Sequence, residues 1–190
     1  MSGVQNRRVL VVDDNESIHE DFRKVLGKPE RVAAELSRAA AALFGRPARS
    51  SVARPVFELS SALQGKDGLE CARQAVQRGE PFAVAFVDVR MPPGWDGIET
   101  AQRLWAVDPN LQIVICTAHS DYSFEQMLER LGYTDRLLIL KKPFDNVEVM
   151  QLAIALTRKW ELAQQARERV DNLEQTVAAQ ARDVVDTRDV

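Results

Sequence analysis

The sequence predicts an α/β domain built on a parallel sheet and continued by a long C-terminal helix. Three observations carry that expectation. From residue 9 to about residue 140, short apolar runs alternate with longer stretches of helical periodicity, the pattern of right-handed βαβ units. The run Phe82-Ala83-Val84-Ala85-Phe86-Val87 is apolar at every position, as in a strand covered on both faces. Residues 146–185 contain neither proline nor glycine and so permit one continuous helix.

Taken in order, Val9-Leu10-Val11-Val12 reads as a buried strand, and Asn15 caps a helix with Ile18, Phe22, Val25 and Leu26 on one face. Val56-Phe57-Glu58-Leu59 is the expected second strand, followed by a helix over 66–77 with Leu69, Ala72 and Val76 at helical spacing. The third strand is 82–87, the fourth 112–116 and the fifth 137–140. Gly94 and Gly97 precede a helix over 98–106, and Ser120 or Asp121 caps another that ends near Gly132. Almost thirty residues separate Leu26 from Pro55, where a short turn would suffice. Val32, Leu36, Ala39 or Ala40, and Leu43 predict an extra helix over 30–44 there, followed by a loop over 45–54. This inserted block, 28–54, is basic, with six Lys and Arg against two Glu. Such a run is a phosphate- or partner-binding surface in some proteins and more often only a solvated helix face.

At about 1.5 Å per residue, a helix of some forty residues spans roughly 60 Å. A domain of about 150 residues is only about 40 Å across, so the helix must project. Val149, Leu156, Ala163, Val170, Val177 and Val184 fall at one heptad position; Leu152, Lys159, Ala166, Leu173 and Gln180 fall at the other. β-Branched residues at the first and leucine at the second favour a parallel two-stranded coiled coil, with Arg169 of one chain facing Glu174 of the other. The expected organisation is a domain over 7–157 and a dimerising helix over 158–190. The dimer seam is Leu156, Ala163, Val170, Leu173 and Val177.

Composition narrows the function. The chain is 45% apolar and 28% charged, as in globular proteins, with a net charge of −3 that gives no global attraction to nucleic acid. No apolar run approaches the roughly 18 residues of a membrane span. Cys71 and Cys116 both lie in apolar-periodic segments and suit a reducing compartment. The expectation is a soluble, cytoplasmic protein that binds neither DNA nor membrane.

The acids sit where chemistry is expected. Asp13-Asp14 ends the first strand and Asp88 the third, and in an open parallel sheet the carboxyl ends of strands share the rim where ligands bind. Three carboxylates there require a cation, and Mg²⁺ suits oxygen ligands with waters left in place. Helix capping alone explains Asp13 or Asp14, but not Asp88, because Met91-Pro92-Pro93 does not begin a helix at once. Thr117 ends the fourth strand and Lys142 follows the fifth. A hydroxyl and an ammonium beside such a cluster make a pocket for a tetrahedral anion.

The set Val9–Asp14, Phe86-Val87-Asp88-Val89-Arg90-Met91-Pro92, Gly97, Thr117-Ala118 and Lys142-Pro143-Phe144, in this order and spacing, resembles the receiver domain of bacterial two-component response regulators. The resemblance covers about residues 7–157 apart from the insertion. It implies a flavodoxin-like (βα)5 fold with a five-stranded sheet. It also implies that Asp88 accepts a phosphoryl group from a histidine kinase or phosphotransfer protein. By the same resemblance Asp13, Asp14, Asp88 and the backbone carbonyl of Arg90 hold Mg²⁺, Lys142 pairs with the carboxylate and later with a phosphoryl oxygen, and Thr117 turns toward the phosphoryl group. Arg90 and His119 occupy positions that tune acyl-phosphate lifetime, and the Lys142–Pro143 bond is expected to be cis. Such a domain is no enzyme beyond its own phosphorylation and slow dephosphorylation.

Departures from that family pattern are informative. Relatives carry Tyr or Phe three residues before the lysine as a switch; here it is Ile139, so output is expected to run through the tail. His19 belongs to no motif and is read as structural. A phosphohydrolase with an aspartyl nucleophile would need a second acid at position 90, which is Arg90. A receiver-like scaffold that is never phosphorylated leaves the acidic set unexplained. The tail resembles linkers to histidine-kinase or cyclic-di-nucleotide modules, so an output module is expected beyond the helix.

Overall fold

A computed structural model describes residues 5–28, 54–118 and 123–186. The expected helix over 30–44, most of the loop that follows it, and the positions of His119, Ser120 and Asp121 lie outside those residues.

The described elements are β1 (Arg8–Val12), α1 (Glu16–Leu26), β2 (Glu58–Ala62), α2 (Gly65–Gln77), β3 (Val84–Asp88), α3 (Gly97–Val107), β4 (Gln112–Thr117), α4 (Phe124–Leu131), β5 (Leu137–Lys141) and α5 (Asn146–Asp186). The five strands form one sheet in the order β2-β1-β3-β4-β5, every pair parallel. This is the flavodoxin-like arrangement, in which the chain reverses direction of travel across the sheet between β1 and β3.

Alternation along the strands divides the core into two layers. Leu10, Val12, Ala85 and Val87 face Ala72 and Ala75 of α2 and Ile98, Ala101 and Leu104 of α3. Val9, Val11, Val84 and Phe86 face Phe22, Val25 and Leu26 of α1 and Val149, Ala153, Leu156 and Trp160 of α5. Phe22 is the hinge of the second layer: its ring centroid lies 4.8 Å from that of Phe86 and 5.6 Å from that of Phe144. Helix starts follow ordinary capping chemistry, with the Asn15 side chain accepting from the Ser17 amide and that of Asp96 from the Glu99 amide.

Three expectations need correction. The second strand lies at Glu58–Ala62 rather than 56–59, because β2 is an edge strand whose Ser60 is half-exposed and Ser61 exposed, and a search for apolar runs passes over it. The helix ending at Leu131 is capped by Ser123, in a reciprocal capping box with Gln126, rather than by Ser120 or Asp121. Leu156 does not belong to a free seam. It is 4% exposed and packs on the sheet, since α5 turns that face toward its own domain as far as Trp160, one turn beyond the expected boundary at 157. Lys159 then pairs with Asp135 at 2.9 Å and Arg167 donates to the Asn110 side chain, so the helix leaves the domain only after Arg167. Beyond it Val170, Leu173 and Val177 are exposed.

Gly97 ties the fold to the rim. Its amide donates to the Val89 carbonyl at 2.9 Å, and a β-carbon there would lie 2.2 Å from the Asp88 carbonyl oxygen and 2.9 Å from the Val89 Cα. Backbone cannot yield as a side chain does. Gly97→Ala is expected to destabilise the domain by roughly 1–3 kcal/mol, the usual cost of overpacking, read as a lowered melting temperature by circular dichroism.

Candidate functional site

The parallel register brings the ends of β1, β3, β4 and β5 to one rim, and the chain places a polar side chain at each. Asp13 follows β1 and is 3% exposed; Asp88 is the last residue of β3 and is 8% exposed. Thr117 closes β4, and its carbonyl accepts from the Lys142 amide at 2.8 Å, which carries Lys142 to the rim directly after β5. The Lys142–Pro143 peptide is cis, as expected from the resemblance.

Lys142 joins the acids. Its ammonium donates to Asp13 Oδ2 at 2.7 Å and to Asp88 Oδ1 at 2.5 Å. The remaining carboxylate oxygens are held by backbone: Asp13 Oδ1 accepts from the Asn15 amide and Asp88 Oδ2 from the Arg90 amide, each at 3.0 Å. Asp14 is exposed, and one carboxylate oxygen from each of Asp13, Asp14 and Asp88 lies within 4.8 Å of the others. Like charges at that separation repel by roughly 3–4 kcal/mol per pair at an effective dielectric near 20.

Ionised, three carboxylates exceed one ammonium by two charges, which matches a divalent cation. The donors are all hard oxygens, and exposed Asp14 leaves the group open to water on one side, as a hydrated divalent ion requires. The residues therefore fit such an ion. Burial raises the pKa of Asp88 above the usual carboxylate value, and its hydrogen bond and charge interaction with Lys142 offset that only in part. For Lys142 burial acts to lower the pKa, but the hydrogen bonds and charges of Asp13 and Asp88 outweigh it, and the ammonium is held above its ordinary value. Lys142 is thus a fixed cation. Burial also pushes the Cys116 thiol up, so it stays protonated beside the site.

Thr117 is buried at the rim, with its hydroxyl donating to the Ala118 carbonyl at 3.0 Å. Ile139 is half-buried and packs against the α2–α3 side of the core. Arg90 stands on the loop after Asp88 with an exposed side chain. Sequence reasoning missed the support behind the acids: His19 is 2% exposed and its Nε2 lies 2.7 Å from the Asp13 carbonyl oxygen. The signal was a lone histidine on the otherwise apolar inner face of the first helix.

With this fold and rim, the chain belongs to the response regulator receiver domain family, whose profile matches residues 46–154. The match begins after the first strand, so Asp13 and Asp14 precede it, and it is the sheet that brings them to Asp88. Among named relatives, the sporulation initiation phosphotransferase F of Bacillus subtilis (strain 168) is 34% identical over 86 residues, 45% of this chain and 64% of that protein. The cyclic di-GMP phosphodiesterase of Thermotoga maritima is 34% identical over 85 residues, 45% of this chain and 22% of its own length. The chain thus spans less than two thirds of either relative. Among solved structures, that of an adenylate cyclase from Rhodopirellula baltica superposes with a TM-score of 0.62 at 21% identity, covering 87% of this chain and 98% of that one. A CheY-like receiver domain protein from Methanospirillum hungatei JF-1 superposes with a TM-score of 0.56 at 18% identity, covering 83% and 98%. Both show the fold alone.

Lys142→Met leaves Asp13 and Asp88 buried without their cation. Breaking a fully buried pair costs about 3–5 kcal/mol, and the partial exposure of Lys142 reduces the expected loss to about 2 kcal/mol in chelator. Denaturant unfolding of Lys142→Met, Asp88→Asn and the double variant measures the coupling. The double variant is expected to recover at least half of the loss.

Proposed function

We propose that this receiver domain accepts a phosphoryl group on Asp88 from the phosphohistidine of a histidine kinase or phosphotransfer protein and passes the state on through a dimer of its C-terminal helix. One observation carries the reading: three carboxylates from two strand ends lie within 4.8 Å of one another, with Lys142 bonded to two of them.

In the transfer, a carboxylate oxygen of Asp88 forms a bond to phosphorus while the P–N bond of the phosphohistidine breaks, and the departing imidazole nitrogen keeps the electron pair. Asp13, Asp14, Asp88 and the backbone carbonyl of Arg90 would hold Mg²⁺. When bound, the ion neutralises the approaching phosphoryl oxygens. Lys142, held charged between the acids, is placed to bond a phosphoryl oxygen once Asp88 gives up its carboxylate charge. Thr117 would exchange the Ala118 carbonyl for a phosphoryl oxygen. Ile139 cannot report that movement as an aromatic ring would. Arg90 and His119 flank the pocket in sequence and would set how long the acyl phosphate survives attack by water.

Dimerisation is supported by the free end of α5. Val170, Leu173 and Val177 are 53%, 66% and 63% exposed at heptad spacing, and a second copy of the same helix would cover them. The relative named for a cyclic di-GMP phosphodiesterase suggests an output module as the recipient, by analogy only. No described helix is long and apolar enough to cross a membrane.

Incubation with Mg²⁺ and acetyl phosphate is expected to give a phosphorylated species by intact-mass analysis, and Mg²⁺ with beryllofluoride a raised melting temperature. Asp88→Asn should abolish both. Failure of the wild type to be modified, or equal modification of Asp88→Asn, overturns the reading. Separately, sedimentation of Leu173→Asp/Val177→Asp is expected to show monomer at concentrations where the wild type is dimeric, with an unchanged melting temperature of the domain.

A further inference from the structure

We propose that His19 is a positioning residue for the acidic pocket: it holds the Asp13–Asp14 peptide so that the Asp14 carboxylate meets those of Asp13 and Asp88. The inference deepens the divalent-ion reading of that pocket and rests on it.

His19 lies near the start of α1 and is 2% exposed. Its Nε2 is 2.7 Å from the carbonyl oxygen of Asp13. A carbonyl only accepts, so Nε2 carries the proton. Nδ1 is buried and has no hydrogen-bond partner among the described residues. The ring therefore makes its one hydrogen bond through Nε2.

The other polar atoms of Asp13 are already committed. Its amide donates to the Ala62 carbonyl at 3.1 Å, Oδ1 accepts from the Asn15 amide at 3.0 Å, and Oδ2 accepts from Lys142 at 2.7 Å. The imidazole supplies the last bond, to the carbonyl that begins the Asp13–Asp14 peptide. Asp14 needs that support most. It is exposed, and among the described residues its carboxylate has no hydrogen bond or ion pair, so its aim depends on the peptide that precedes it. The arrangement parallels the groups behind metal ligands that orient them without touching the ion.

Glutamine places its amide nitrogen about where imidazole places Nε2, whereas asparagine falls short and leucine has no donor. Calorimetric Mg²⁺ titration of the full chain is expected to show binding weakened about tenfold in His19→Leu and His19→Asn, and within about threefold of wild type in His19→Gln. Long-range ¹H–¹⁵N spectra of the metal-free wild type should show His19 protonated at Nε2. A residue that only fills space would lower the melting temperature in all three variants without separating glutamine from asparagine in Mg²⁺ affinity. Equal Mg²⁺ affinity in wild type, His19→Asn and His19→Gln, equal losses in both, or an Nε2 without a proton overturns the role of His19 while leaving the metal site intact. A wild type that binds no Mg²⁺ overturns the metal site and this inference together.

Discussion

The ammonium of Lys142 between two buried carboxylates is the interaction on which the site depends. A parallel sheet delivers the ends of its strands to one rim, and here it delivers Asp13 and Asp88 with little exposure to water. Left alone, that juxtaposition would be repulsive. Lys142 offsets it with two short charge-assisted bonds and arrives there through the backbone bond from its own amide to Thr117. A partly buried ion pair is weak evidence of stability. What it supplies is position, since three strand ends and the loops that follow them are tied at one point.

The same geometry sets how the rim relates to the rest of the molecule. α5 begins four residues after Lys142, beside the acids, and runs down the α1 side of the sheet to Trp160. At the opposite rim Lys159 reaches Asp135, just before β5, and Arg167 reaches Asn110, just before β4. β4 and β5 therefore end at the site and begin at the contacts that aim the projecting helix. One helix and two strands span both rims, so a shift of Thr117 or Lys142 and a change in the angle of α5 involve the same elements. The heptad pattern continues through all of α5, but tertiary packing divides it. Its first turns belong to the domain, while the heptad residues Val170, Leu173 and Val177 that follow Arg167 are exposed.

Much of this was legible beforehand. Continuous apolar runs marked the central strands β1, β3 and β4, because burial on both faces leaves no position for a polar residue. The acids Asp13 and Asp88, with Thr117 and Lys142, stood out by ending or following those runs. β2 carries no such run, because it is an edge strand with Ser60 half-exposed and Ser61 exposed. The cap at Ser123 was missed in a stretch rich in alternatives, where only the reciprocal bond to Gln126 distinguishes one start from another.

The amino-acid sequence by itself determined the class of fold, the order of its central elements and the identity of the polar residues at their ends, because periodicity and strand-end position are local properties. The tertiary structure alone decided which of those residues meet. That Lys142 bridges Asp13 and Asp88, that His19 holds the Asp13 carbonyl, and that Leu156 is spent on the core all depend on strand register and helix docking between segments far apart in the chain. No short window of sequence carries that information, since it is set by which faces the packed layers leave for one another.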